Sequence, residues 1–94
     1  MLILSLTYVA PLDQVDQHIA AHMEWVKAGY DSGMFLASGR KQPRTGGMIL
    51  ARGERNAVEA YVATDPFAVA GVATYDVTEV ALSRTAPGLE GLLP

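Results

Sequence analysis

The chain contains no cysteine. That absence removes disulfides, thiolate metal ligands and cysteine nucleophiles at once. Histidine is nearly as scarce: the two present, His18 and His22, form no HExxH pair, so a zinc site would need carboxylates to complete it, and no metal or cofactor is expected. No run reaches the ~18 apolar residues of a membrane span. The opening Met1-Leu2-Ile3-Leu4 leads into Ser5 and Thr7 without the basic stretch that precedes a signal peptide's apolar core. A cytoplasmic protein without a membrane partner is the expectation. Positive charge is also short. Seven Lys and Arg against ten Asp and Glu leave a net charge of −3, which argues against nucleic acid as a partner. Gly-x-Ser-x-Gly is missing, which disfavours covalent serine hydrolysis.

What the chain has is apolar residues, half of its 94. This suffices for one domain, yet a domain of this size buries only about 60–65% of its unfolded surface. A second subunit would add buried area, so a homodimer is expected. The basic residues are unevenly placed, with Arg40, Lys41, Arg44, Arg52 and Arg55 supplying five of the seven. Such a cluster reads either as a solvated hairpin or as a rim that draws anionic or phenolate-like ligands.

Periodicity orders the chain. Leu2 to Val9 alternate, with Leu2, Leu4, Leu6 and Tyr8 on one face and Ile3, Ser5, Thr7 and Val9 on the other, which predicts a strand. Pro11 opens a helix expected to run to Tyr30 or Asp31, with Asp13 and Asp16 near its positive end and Gly33 stopping it. Its apolar stripe is Leu12, Val15, Ile19, His22, Met23, Val26 and Tyr30. Phe35 to Arg40 and Gly47 to Arg52 read as strands around the turn Pro43-Arg44-Thr45-Gly46. Glu54 to Ala63 reads as a second helix with Ala57, Val58, Tyr61 and Val62 inward. Asp65-Pro66 caps a short turn that Gly71 ends, and Ala73 to Leu82 is the last strand. The order βαββαβ predicts an α+β, ferredoxin-like domain over residues 1–84: a four-stranded antiparallel sheet with two helices on one face. Residues 85–94, broken by Ala86-Pro87-Gly88, form a tail whose Leu89, Leu92 and Leu93 are available to dock on a neighbour. The semi-apolar face carrying Ile3 and Val9 calls for a second sheet packed against it.

One residue is out of place. His22 interrupts the apolar stripe, and a half-buried imidazole is costly unless its nitrogens find partners. Asp65, at a loop-to-helix junction, is the carboxylate expected to meet it. A carboxylate on one ring nitrogen fixes the tautomer, raises basicity and leaves the other nitrogen for a substrate, which suits general acid–base chemistry. Asp65 before proline is equally well explained as an N-cap. His18, one turn before His22, reads as a solvated histidine or as a second group in the same cleft. Trp25 and Phe67 read as packing aromatics or pocket walls. Gly46-Gly47 precedes a strand rather than a helix, so it reads as a hairpin turn and not a phosphate cradle.

Several segments together resemble the YciI-like, or YCII-related, family of the dimeric α+β barrel superfamily. They are Leu6-Thr7-Tyr8, the helix with His22, Gly33-Met34-Phe35-Leu36-Ala37-Ser38-Gly39, Gly46-Gly47 and Thr64-Asp65-Pro66-Phe67. The resemblance spans roughly Met1 to Leu82 and implies a dimeric barrel with a His–Asp centre, falling here on His22 and Asp65. A small-molecule substrate is expected, with Ser38, Gly39 and Phe67 as its contacts. One described member type is a dehydrochlorinase of a chlorinated hydroxyhydroquinone, and related barrels include muconolactone isomerases. Three readings follow: a cofactor-independent lyase, isomerase or dehydrochlorinase, a small-molecule binding module, and a purely structural dimeric domain.

Overall fold

In the computed structural model, which describes residues 1–94, the alternation of the first strand becomes β1, Leu2–Tyr8, with Leu2, Leu4 and Leu6 buried and their neighbours less so. The elements that follow are α1 (Leu12–Asp16), α2 (Ile19–Asp31), β2 (Phe35–Arg40) and β3 (Gly46–Ala51). They continue with α3 (Arg55–Val62), α4 (Pro66–Val69) and β4 (Ala73–Glu79), and a single 3₁₀ turn spans Glu90–Leu92. The sheet order is β2-β3-β1-β4 with every neighbouring pair antiparallel, which is the ferredoxin-like arrangement.

The core lies on one side of the sheet. Leu2 and Leu4 of β1, Phe35 of β2 and Ile49 and Ala51 of β3 meet Trp25 and Val26 of α2 and Val58 and Val62 of α3. A second cluster joins Leu6, Val15, Phe67, Val72 and Ala73 at the end of the sheet where the cleft opens. No helix covers the reverse face, where Ile3, Ser5 and Thr7 register with Leu50, Met48 and Gly46 on one side and Thr78, Asp76 and Thr74 on the other. The shortest dimension, 20 Å, is that of one sheet and one helical layer, and only 17 of 94 residues are buried.

The first helix departs from the sequence reading in two ways. It is broken at Gln17–His18, where His18 leaves helical geometry (φ −112°, ψ 4°). The break lets α1 send Val15 into the second cluster while α2 packs on the first. The buried face of α2 is also rotated: Trp25, Val26 and Gly29 are buried, whereas Met23 and Tyr30, like Leu12 of α1, are exposed. Gly29 is the reason, because a Cβ there would lie 2.3 Å from the Phe35 ring, so its bareness lets β2 approach the helix. The last strand is shorter than its β-rich composition suggested, ending at Glu79. Beyond it Val80 still exchanges backbone hydrogen bonds with Met1. In the tail, the Arg52 guanidinium donates to the Gly91 carbonyl.

Candidate active site

α2 presents His22 to a cleft of about 290 Å³ between that helix and the β2–β3–β1 end of the sheet. Ser38, Gly39, Gly46 and Gly47 line it on the sheet side, and Ser38 and Gly47, which register with Ile49 and Leu6 on the helical face, leave room that larger side chains would fill. Gly46 has a steric reason to be bare, since a Cβ there would lie 1.8 Å from the Leu6 carbonyl oxygen. Leu6, Ile19, Val26, Ile49 and Phe67 give the cleft apolar walls.

His22 and Asp65 meet directly. Nδ1 of His22 lies 2.8 Å from Oδ1 of Asp65, with the imidazole 12% exposed and the carboxylate wholly buried. The Asp65 oxygens accept from their other partners as well, so Nδ1 is the donor to Oδ1 and Nε2 is the nitrogen left over. Nε2 has no bonding partner within the protein, and His22 is one of the cleft's lining residues.

Asp65 is held as firmly as it holds. Its Oδ1 also accepts the Phe67 backbone N–H at 2.9 Å, the cap of α4, and its Oδ2 accepts the Tyr75 hydroxyl at 2.5 Å. Cap and histidine partner are therefore one carboxylate in both roles. Burial, reinforced by the hydrogen bond to Asp65, drives the Tyr75 hydroxyl far above its ordinary pKa, so it stays a proton donor. Phe67 completes the clamp, its ring stacking on the imidazole with centroids 4.0 Å apart and planes 6° from parallel. Trp25 stacks on the imidazole more loosely, with centroids 5.9 Å apart and planes 25° from parallel. Trp25 is itself fixed, its indole N–H donating to Thr64 Oγ1 at 3.0 Å and its carbonyl accepting the Tyr61 hydroxyl at 2.6 Å.

The other residues singled out from the sequence distribute unevenly. Ser38, Gly39 and Phe67 line the cleft, whereas His18 and Trp25 do not. The basic rim dissolves on inspection. Arg44 pairs with Asp16 and sits 5.8 Å from the Tyr8 ring centroid, and Lys41 donates to Thr7. Arg52 bonds the tail, and Arg55 pairs with Glu59 and Glu79. Of the five cations only Arg40 lines the cleft, and it enters none of these bonds. Sequence reasoning missed Tyr75 and Tyr30. Tyr75 reads only as a strand aromatic until the fold brings it to Asp65, and Tyr30 reads as core but bonds Ser38 at 2.7 Å. No group of three or more His, Asp or Glu side chains is arranged to hold a metal ion.

A four-stranded antiparallel sheet with its helices on one face and a histidine–carboxylate pair at the edge of a cleft defines a ferredoxin-like α+β domain. The YCII-related domain matches residues 1–81, and the chain belongs to that family. Its fold is similar to that of 5-chloro-2-hydroxyhydroquinone dehydrochlorinase (TftG) from Burkholderia phenoliruptrix AC1100, solved in complex with 2,5-dihydroxybenzoquinone. The TM-score is 0.70 at 20% sequence identity, covering 85% of this chain and 93% of that one. At this identity the likeness is one of fold. Among curated proteins no relative matches.

Proposed function

We propose that this chain is a cofactor-independent acid–base enzyme of the lyase, isomerase or dehydrochlorinase type, in which His22 moves a proton on a small cyclic or phenolic substrate. The observation that carries this reading is the pairing of His22 Nδ1 with buried Asp65 while Nε2 is left without a partner beside an open cleft. Nε2 takes a proton from an acidic O–H or activated C–H of the bound ring. Asp65 steadies the imidazolium that results, and the proton then returns to the product or to water. Positioned acid–base groups of this kind contribute about 10²–10⁴-fold to rate. Ser38, Gly39 and Phe67 are the proposed substrate contacts. The quinone bound to TftG and the hydroxyhydroquinone in its name support a substrate of that class.

The same proposal includes a homodimer. The reverse sheet face, with Ile3 and Leu50 registered side by side and Met48 38% exposed, is the surface that would pack against its copy. Such an interface should bury on the order of 1,200–2,000 Å². Residues 85–94, following the domain of residues 1–84, would act as an arm, with exposed Leu89 reaching the partner.

The test is turnover of a panel of hydroxyhydroquinones, chlorinated and not, by the wild type and His22→Ala. The proposal expects at least one substrate whose conversion falls about 10²-fold or more in the variant. Equal conversion by both proteins would overturn it.

A further inference from the structure

β2 carries a bulge whose effect reaches into the cleft. Phe35 registers with Ala51 and Ala37 with Leu50, so the register shifts between Phe35 and Ala37. An uninterrupted strand would keep residues 35, 37 and 39 on the helical side. The extra residue reverses that parity. Ser38 now registers with buried Ile49, and Arg40 with Gly47, which itself faces Leu6. The bulge thus turns Ser38 and Arg40, instead of Ala37 and Gly39, toward α2, as bulges beside functional sites commonly do. The Tyr30–Ser38 hydrogen bond from α2 records the same orientation.

These two side chains are the polar part of the sheet wall of the cleft. When the Tyr30 hydroxyl donates to Ser38 Oγ, the Ser38 hydrogen is released to point at a ligand oxygen. Arg40 is the one basic side chain of the cleft lining and is not spent on any ion pair. Arg40 is exposed at the mouth of the cleft, and its planar donors suit an ionised oxygen there. Between this wall and His22 on the helix, the cleft is apolar.

We propose that Ser38 and Arg40 form an anion-recognition pole facing His22, and that the ligand is a small aromatic ring bearing an ionised oxygen, phenolate or carboxylate. The proposal rests on the acid–base reading of His22 for the direction in which the ring is held. The ionised oxygen lies against Ser38 and Arg40, which leaves the reacting edge to Nε2. Arg40 is in this account a residue that determines specificity, and Tyr30 a positioning residue that acts through Ser38.

Two matched pairs of probes test it by chemical-shift titration of the protein. They are 4-nitrophenolate against its neutral methyl ether, at a pH where the phenol is ionised, and benzoate against benzamide. At least one anion should bind the wild type about tenfold or more tightly than its neutral partner, a preference that salt weakens. Arg40→Gln should remove that preference and Ser38→Ala should reduce it, while both spectra remain folded. Binding of nitrophenolate alone identifies a phenolate ligand, and binding of benzoate alone an aryl carboxylate. Equal binding of anion and neutral partner, no binding of either anion, or an unchanged preference in Arg40→Gln would overturn the proposal. His22→Ala separates the two readings. Anion preference retained by that variant with unaltered turnover defeats the acid–base assignment and leaves the anion pole standing.

Discussion

Replacing Asp65 with alanine removes a single carboxylate and strands three donors. The Tyr75 hydroxyl, the Phe67 N–H and His22 Nδ1 all lose their acceptor, and Asp65 itself is completely buried. A buried group left without its hydrogen bond costs about 1–3 kcal/mol. His22 is 12% exposed and regains part of its loss from water, so the sum is roughly 3–5 kcal/mol, with the lost cap included. In a domain of this size each kcal/mol moves the melting temperature by about 4–8 °C, which predicts a drop of roughly 12–40 °C. Asp65→Asn behaves differently. Its carbonyl oxygen still serves Phe67 and His22, but its amide meets the Tyr75 hydroxyl with a donor, and the charge is gone. The expected cost is smaller, about 1–2 kcal/mol, while any His22-dependent reaction slows because the imidazolium has lost its counter-charge. Circular-dichroism melts of the three proteins measure the stability part. An alanine variant melting within a few degrees of wild type, or an asparagine variant as damaged as alanine, would refute the reasoning.

Other perturbations follow from the same geometry. Tyr75→Phe leaves Asp65 Oδ2 without its donor and should cost about 1–3 kcal/mol in urea unfolding. Because burial and Asp65 raise the folded-state pKa of Tyr75, its contribution is fully present below about pH 10, the unfolded value, and is lost as pH rises above it. Wild-type stability should therefore fall in alkali more steeply than that of Tyr75→Phe, and parallel curves would contradict the assignment. Gly29→Ala forces a methyl into the Phe35 ring, and should destabilise by about 1–3 kcal/mol despite the helix-favouring alanine. An unchanged urea midpoint would mean that α2 does not need its bare face. Sedimentation at micromolar concentration should give twice the 10.0 kDa chain mass, and a species of the chain mass alone would remove the sheet-to-sheet dimer.

The sheet was legible because alternation in Leu2 to Tyr8 and the apolar return at Met48 to Ala51 report one buried face directly. Helix α3 was legible for the same kind of reason, with Val58 and Val62 one turn apart and both buried. The face of α2 was not. Hydropathy counted Met23 and Tyr30 as core and gave Gly29 no weight, whereas the packing is set by where Phe35 can enter. The chemical types at His22 and Asp65 marked them as candidates, and the structure puts them 2.8 Å apart, but their surroundings were hidden. Tyr75 lies ten residues from Asp65 in sequence, and nothing in a β-branched run says which tyrosine will turn toward a carboxylate. The bulge at Phe35/Ala37 was equally silent, and it alone decides that Ser38 and Arg40 face the cleft. Charge clustering pointed to five cations where four are tied up elsewhere.

The central claim is that His22 moves protons on a bound aromatic ring. Its most direct test follows ring hydrogens of a hydroxyhydroquinone exchanging with deuterium oxide by proton NMR, with and without the protein. The account predicts exchange accelerated by the wild type, slowed about 10²-fold or more by His22→Ala, and intermediate with Asp65→Asn. Exchange at the same rate in wild type and His22→Ala, or at the rate of buffer alone in both, would contradict it.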